Sequence, residues 1–263
     1  MASRIALRSV AIVYLSALLL GPLGIVGYRT FEHGIGPAIE AVTTPEALHA
    51  FWLTLLIAAI AVPCNTVFGV ICSIAIVRYR FRGHGIVNSV VDLPLALSPV
   101  VVGLALFLVY ARTGWFGPWL LDHGVQVIFA LPGMVLATIF VSLPFVVREV
   151  VPVLREIGDE QEQAAATLGA SSWQTFRRVT LPAIRWGVAY GVVLTTARAL
   201  GEFGAVSVVS GRISGRTETL TLFVGERFER FDLVGAYAAS VVLALVAIAT
   251  LLSLTALRRK EAE

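Results

Sequence analysis

The sequence predicts an all-α integral membrane protein with six transmembrane helices and a helical cytoplasmic loop between the fourth and fifth. Three observations predict it. The 263-residue chain is 57% hydrophobic and only 14% charged, with a mean hydropathy of +0.86, a balance foreign to soluble domains. Its apolar residues fall into six runs, each near the roughly 20 residues that a helix needs to cross the hydrocarbon core. One long stretch, residues 148–186, breaks the pattern with dense charge and helix-start signals.

The runs place spans at about 5–28, 50–77, 86–110, 127–147, 187–209 and 234–257, within a single transmembrane domain covering 1–263. Arg4 and Arg8 precede the first run as they would in a secretion signal. The run continues to Tyr28 without a small-residue cleavage site, so a retained span is expected. Asp92, Pro94 and Pro99 make the third span irregular, which is tolerated only where the backbone faces protein or a cavity. With both termini cytoplasmic, the inner set is Arg4, Arg8, Arg78, Arg80, Arg82, Arg148, Arg155, Arg177, Arg178, Arg185, Arg258, Arg259 and Lys260, which is 13 of the 20 basic residues. Basic residues favour the cytoplasmic side, so this orientation is preferred. The pI of 9.1 then reflects orientation; no basic tract interleaved with aromatics suggests nucleic-acid binding.

Residues 148–186 have a helix grammar of their own. Asp159 can cap a short helix, with Glu162 three residues on, and Glu156, Asp159, Glu160 and Glu162 crowd its positive end. Gln163-Ala164-Ala165-Ala166 propagates the helix and Gly169 stops it. Ser171 with Gln174 makes a capping box for a second helix carrying Trp173, Phe176 and Val179 on one side, which Pro182 closes. Two short helices meeting at a glycine form a compact knob. It is the largest surface a soluble partner could grip.

Several chemistries are excluded by counting. Lys260 is the single lysine, so no phosphate-binding G-x-x-x-x-G-K-[ST] loop exists, and neither H-E-x-x-H nor G-x-S-x-G occurs. His33, His49, His84 and His123 are scattered without ligand spacing, so no metal site is expected. Cys64 and Cys72 stand eight residues apart on one helix, about 12 Å of rise, which is too far for a disulfide. The chain is expected to be no enzyme and to hold no cofactor. Its energy must come from a gradient or from another polypeptide.

The knob resembles the "EAA" loop of permease subunits of ABC importers, whose pattern is E-A-A-x3-G-x9-I-x-L-P. Here the same spacing reads Gln163-Ala164-Ala165, Gly169, then Val179-Thr180-Leu181-Pro182. Gln163 stands for the glutamate, with Glu162 adjacent, and Val179 stands for isoleucine. A second stretch, Arg198-Ala199-Leu200-Gly201-Glu202-Phe203-Gly204-Ala205-Val206-Ser207-Val208-Val209-Ser210-Gly211, resembles the fifth span of sulfate and thiosulfate importer permeases, most closely the W type. Molybdate permeases share its A-R-x-L-G-E-F-G-A core. The resemblance implies a bacterial inner-membrane complex of this subunit with a similar T-type permease, two ATP-binding subunits that use ATP and Mg²⁺, and a periplasmic sulfate- or thiosulfate-binding protein. It implies that Glu162, Gln163, Ala164, Ala165, Leu168, Gly169, Trp173, Leu181 and Pro182 couple ATP hydrolysis to transport. Small Ala164 and Ala165 allow close helix approach, Gly169 permits the turn, and Leu168 and Trp173 are apolar anchors.

Arg198 and Glu202 are charges inside the fifth span, four residues apart and able to pair. They either lock that span to a neighbour, the reading preferred here, or help a dianion past. Ser98, Ser207 and Ser210 are candidate neutral donors to the oxyanion, against the ordinary role of bonding their own backbone. Gly187 and Gly191, a G-x-x-x-G, suit close helix packing. The expected function is alternating-access import of sulfate or thiosulfate across the bilayer. The alternatives are a molybdate or tungstate permease, an ATP-independent anion carrier or channel, and a membrane anchor.

Overall fold

The computed structural model describes the backbone over residues 2–79 and 82–262, and side chains over 8–10, 12–79 and 82–252. Every element among them is helical. In order these are α1 (Ala2–Phe31), α2 (Ile35–Val42), α3 (Pro45–Arg78), α4 (His84–Ala96), α5 (Pro99–Tyr110), α6 (Gly117–Asp122), α7 (Leu131–Ser142), α8 (Pro144–Ile157), α9 (Glu160–Thr167), α10 (Ser172–Thr175), α11 (Leu181–Leu200), α12 (Gly204–Val209), α13 (Leu220–Glu229) and α14 (Leu233–Ala262), with a π-helical turn at Phe176–Thr180. Of the inner basic set, Arg80 and the side chains of Arg4, Arg258, Arg259 and Lys260 lie outside the described residues.

Four helical runs among the described residues are long and apolar enough to cross a membrane: Arg8–Phe31, Pro45–Arg78, Leu131–Ile157 and Leu233–Leu252. A fifth arises if α4 and α5 count as one span, but they meet at 109° instead of forming the single rod expected over 86–110. The break has a local cause. Pro99 bars Ser98 from the α region, and both Leu97 and Ser98 are extended, with ψ of 141° and 134°.

The loop boundaries also need correction. The fourth helix does not end near residue 147 but runs to Ile157, because Val150 and Leu154 bury against Val70 and Ile184. At the other end α11 begins at Leu181, so the polar knob is confined to residues 158–180. Pro182 opens α11 instead of closing the preceding helix; in a first turn its missing N–H costs nothing. The fifth predicted span, 187–209, is interrupted. α11 stops at Gly201, and the chain restarts as α12 after Phe203.

Helix α11 is the centre of the bundle, packed against α8, α3 and α14. Two glycines set its closest crossing. A Cβ on Gly191 would stand 2.8 Å from Val146 Cα, and one on Gly69 of α3 would stand 2.6 Å from Val146 Cβ. Fully buried Val146 thus sits between two glycine-bearing helices, and any larger residue at either position would force them apart. Toward the other end, Leu53, Ile57, Val102, Met134, Val135, Val141, Val206 and Leu222 join α3, α5, α7, α12 and α13 in the main core. α1 lies outside this core against α14 and α2, with most of its described side chains exposed.

Candidate functional site

The knob is a helical hairpin standing on a four-way junction. Asp159 precedes α9 without making a side-chain cap, and Glu162 does not reach back to complete one. Glu162 turns inward instead. Arg78, the last residue of α3, donates from Nε to Glu162 Oε2 at 2.8 Å and from Nη2 to Oε1 at 3.3 Å. Its Nη1 donates to the Leu154 carbonyl at 3.1 Å and its Nη2 to the Gly158 carbonyl at 2.6 Å. Thr180 Oγ1 donates to Glu162 Oε1 at 2.8 Å. One guanidinium and one carboxylate therefore tie together the ends of α3 and α8, the start of α9 and the residue preceding α11. Only 15% and 22% of the two side chains remain exposed, so water competes weakly for these bonds. Neither Arg78 nor Thr180 was singled out from sequence; an arginine ending a span next to an acid-rich loop was the available signal.

Above this junction the hairpin presents small and apolar residues outward. α9 ends at Thr167 with Leu168 as its cap, and Gly169 follows at φ +84°, where the Gly169 and Ala170 N–H groups donate to Ala166 and Ala165 carbonyls at 3.0 Å each. That left-handed step costs a residue bearing a Cβ about 1–2 kcal/mol. The predicted Ser171–Gln174 capping box is present in both directions. Gln163 and Ala164 are exposed and Ala165 is half-buried. Leu168 is 89% and Trp173 67% exposed, although Trp173 stacks on Phe176 with ring centroids 5.5 Å apart. An open cleft of about 380 Å³ lies between the two arms, lined in part by Ala165, Leu168, Gly169, Gln174 and Arg178. Leu181 is exposed at the edge of the knob, and Pro182 belongs to α11.

The predicted intramembrane pair is present. Arg198 Nη2 lies 2.6 Å from Glu202 Oε2, with the Glu202 side chain buried and the Arg198 side chain 29% exposed. Glu202 Oε1 also accepts the Ala205 N–H at 2.7 Å, capping the start of α12, and its carbonyl accepts from Thr221. A small cavity beside it is lined by Thr54, Thr138 and Thr219 together with Ile57, Ala199 and Val206. The serines separate. Ser210 is fully buried and Ser207 donates to the Gly204 carbonyl at 2.7 Å, whereas Ser98 lies exposed at the α4–α5 break. A further pair was missed in sequence: Arg148 Nε donates to Asp92 Oδ1 at 3.0 Å, joining α8 to α4. Among the described residues no group of three or more His, Cys, Asp or Glu side chains could hold a metal ion.

A bundle of long apolar helices with a braced polar hairpin at one end defines a membrane component. Residues 65–261 match the family described as binding-protein-dependent transport system inner membrane components, and the chain belongs to that family. It is 51% identical over 245 residues to the sulfate transport system permease protein CysW of Synechocystis sp., a match covering 93% of this chain and 89% of that one. It is 49% identical over 234 residues to CysW of Escherichia coli K12, covering 89% and 80%. The sulfate permease protein CysT of the same organism is 39% identical over 235 residues, covering 89% and 85%. Among solved structures, a chain of a bacterial ABC transporter involved in import of the acidic polysaccharide alginate superposes with a TM-score of 0.81 at 18% identity, covering 98% of this chain and 96% of that one. The MetNI methionine ABC transporter gives 0.61 at 17% identity, covering 81% and 94%.

Proposed function

We propose that this chain is the transmembrane permease subunit of an ATP-driven importer that carries sulfate, or thiosulfate, into the cytoplasm by alternating access. The observation that carries the reading is the hairpin at residues 158–180. It exposes Leu168 and Trp173 to solvent while Arg78 and Glu162 fasten its base to the bundle. A rigid element of this kind transmits force, and a flexible loop would not. In this reading Glu162, Gln163, Ala164, Ala165, Leu168, Gly169, Trp173, Leu181 and Pro182 form or support the seat for a separate ATP-binding subunit. The chain performs no chemistry; ATP and Mg²⁺ belong to that partner. The substrate follows from likeness to sulfate permease proteins over most of the chain.

The same reading has six crossings, with α11 and α12 together forming the fifth in chain order. Arg185, Thr195, Thr196 and Arg198 make α11 less apolar than α3, but α3, α8 and α14 pack around it, so it needs no continuous lipid-compatible face. Both termini and the hairpin then face the cytoplasm. The full assembly contains two ATP-binding subunits, a second permease of the T type and a periplasmic sulfate- or thiosulfate-binding protein. ATP-dependent uptake by the reconstituted assembly tests this directly. Sulfate or thiosulfate uptake supports it; uptake of molybdate alone changes the substrate, and anion flux without ATP overturns the coupling.

A further inference from the structure

The arginine recognised from sequence inside the fifth span, Arg198, is mostly covered and is paired with the buried Glu202 carboxylate. Arg148 is placed differently. It precedes Arg155 by seven residues on one helix, which puts it about 10 Å deeper in the bundle than the basic end. Its pair with Asp92 is not enclosed: the side chains keep 56% and 44% of their surface. Asn88 and Ser89 are exposed four and three residues before Asp92 on α4, and so share its helix face. Neither makes a side-chain hydrogen bond within the described residues.

Arg148 lies inside Leu131–Ile157, a run long enough to cross the bilayer, and an open ionic pair on such a run is strongly disfavoured against acyl chains. The face must open on an aqueous path or on a second permease. The bonding of Arg148 decides between them. Asp92 engages Nε alone, and both Nη groups stay unbonded among the described residues. Those Nη donors present a planar edge that matches two oxygens of a tetrahedral oxyanion. Surrounding neutral donors would complete such a contact without adding charge.

We propose that Arg148, positioned by Asp92 and flanked by Asn88 and Ser89, is the contact for a divalent tetrahedral oxyanion in the inner half of the translocation path. The proposal rests on the permease reading above. Asp92 has two effects. It aims the guanidinium when no anion is present, and its negative charge opposes the arriving dianion, so that the contact attracts without trapping. A conducting site must be weak enough to release what it binds.

The test uses the complete complex in proteoliposomes with a sulfate-binding protein, following labelled sulfate uptake and ATP hydrolysis together. Arg148→Gln should slow sulfate uptake about tenfold or more, the loss expected for a charged hydrogen bond, with complex yield and anion-independent ATP hydrolysis unchanged. Asp92→Asn leaves the arginine unopposed, so sulfate on the inner side should inhibit uptake at severalfold lower concentration. If Arg148→Gln assembles poorly, the neutral pair Arg148→Gln/Asp92→Asn leaves no orphan charge and carries the test. Sulfate uptake at the native rate by either Arg148 variant overturns the proposal. Loss of yield in both assigns the pair to subunit assembly and overturns it as well. A native complex that moves no sulfate contradicts the permease reading instead, which separates the two failures.

Discussion

Arg78 and Glu162 lie 84 positions apart in sequence and meet through two hydrogen bonds, one of them 2.8 Å long. Through them the end of α3 holds the hairpin that follows α8. Removing one partner of a mostly buried pair leaves the other uncompensated, which costs about 3–5 kcal/mol in well-buried cases and less at this partial exposure. Arg78→Gln and Glu162→Gln should each lower the thermal midpoint of the purified complex and reduce anion uptake more than ATP hydrolysis. The charge-exchanged pair Arg78→Glu/Glu162→Arg should recover part of both. A pair of single variants with native uptake per ATP would remove the junction from the coupling path.

Gly169 makes a distinct prediction, because a Cβ there would meet nothing within 4 Å while φ stays at +84°. Gly169→Ala therefore adds strain without a clash, about 1–2 kcal/mol. It should leave the yield of the permease pair intact and weaken ATPase capture. Asn tolerates this conformation better, so Gly169→Asn should weaken capture less than Gly169→Ala. The reverse order would show that the turn does not set the hairpin.

Arg198 and Glu202 should behave as a structural unit. Glu202→Gln keeps an acceptor for the Ala205 N–H but strands Arg198 without its counter-charge. Reduced complex yield with unchanged preference between sulfate and molybdate is expected. Normal yield with altered preference would instead place this pair on the anion's route.

Glu218, in the segment between α12 and α13, carries a pH dependence. Burial raises its pKa most; the neighbouring Glu226 adds to the rise, while Ser214 and Arg227 oppose it, and the result moves from 4.5 to about 8. The folded state thus holds a proton that the unfolded state releases. Its stabilising contribution is complete below pH 4.5 and declines as pH rises toward 8. Thermal unfolding of the complex between pH 5.5 and 8.5 should show falling stability, and Glu218→Gln should flatten that slope. Equal slopes in native and variant would contradict the assignment.

Much of this was legible because bilayers impose long apolar runs and capping boxes are local. The runs located α1, α3 and α14, and Ser171 with Gln174 marked the start of α10 from four residues of sequence. What escaped depended on distant partners. Glu162 satisfied the spacing of a capping box, yet Arg78 outcompeted the local bond with a full charge and Thr180 added a second donor. Arg148 looked like the start of a polar loop because hydropathy counts its charge; the buried valines beside it, which extend the helix to Ile157, register only as an amphipathic face. Asp92 was noticed as an irregularity and not as a partner, since nothing local links α4 to α8.

The most direct test of the central claim is anion-stimulated ATP hydrolysis by the reconstituted complex, comparing native protein with Leu168→Asp and Trp173→Asp. Both side chains are largely exposed, so neither change should unfold the bundle. The account predicts that sulfate with its binding protein stimulates hydrolysis in the native complex, and that either variant abolishes stimulation and ATPase capture while the permease pair still assembles. Undiminished stimulation in both variants would contradict the hairpin's role as the seat of the ATP-binding subunit.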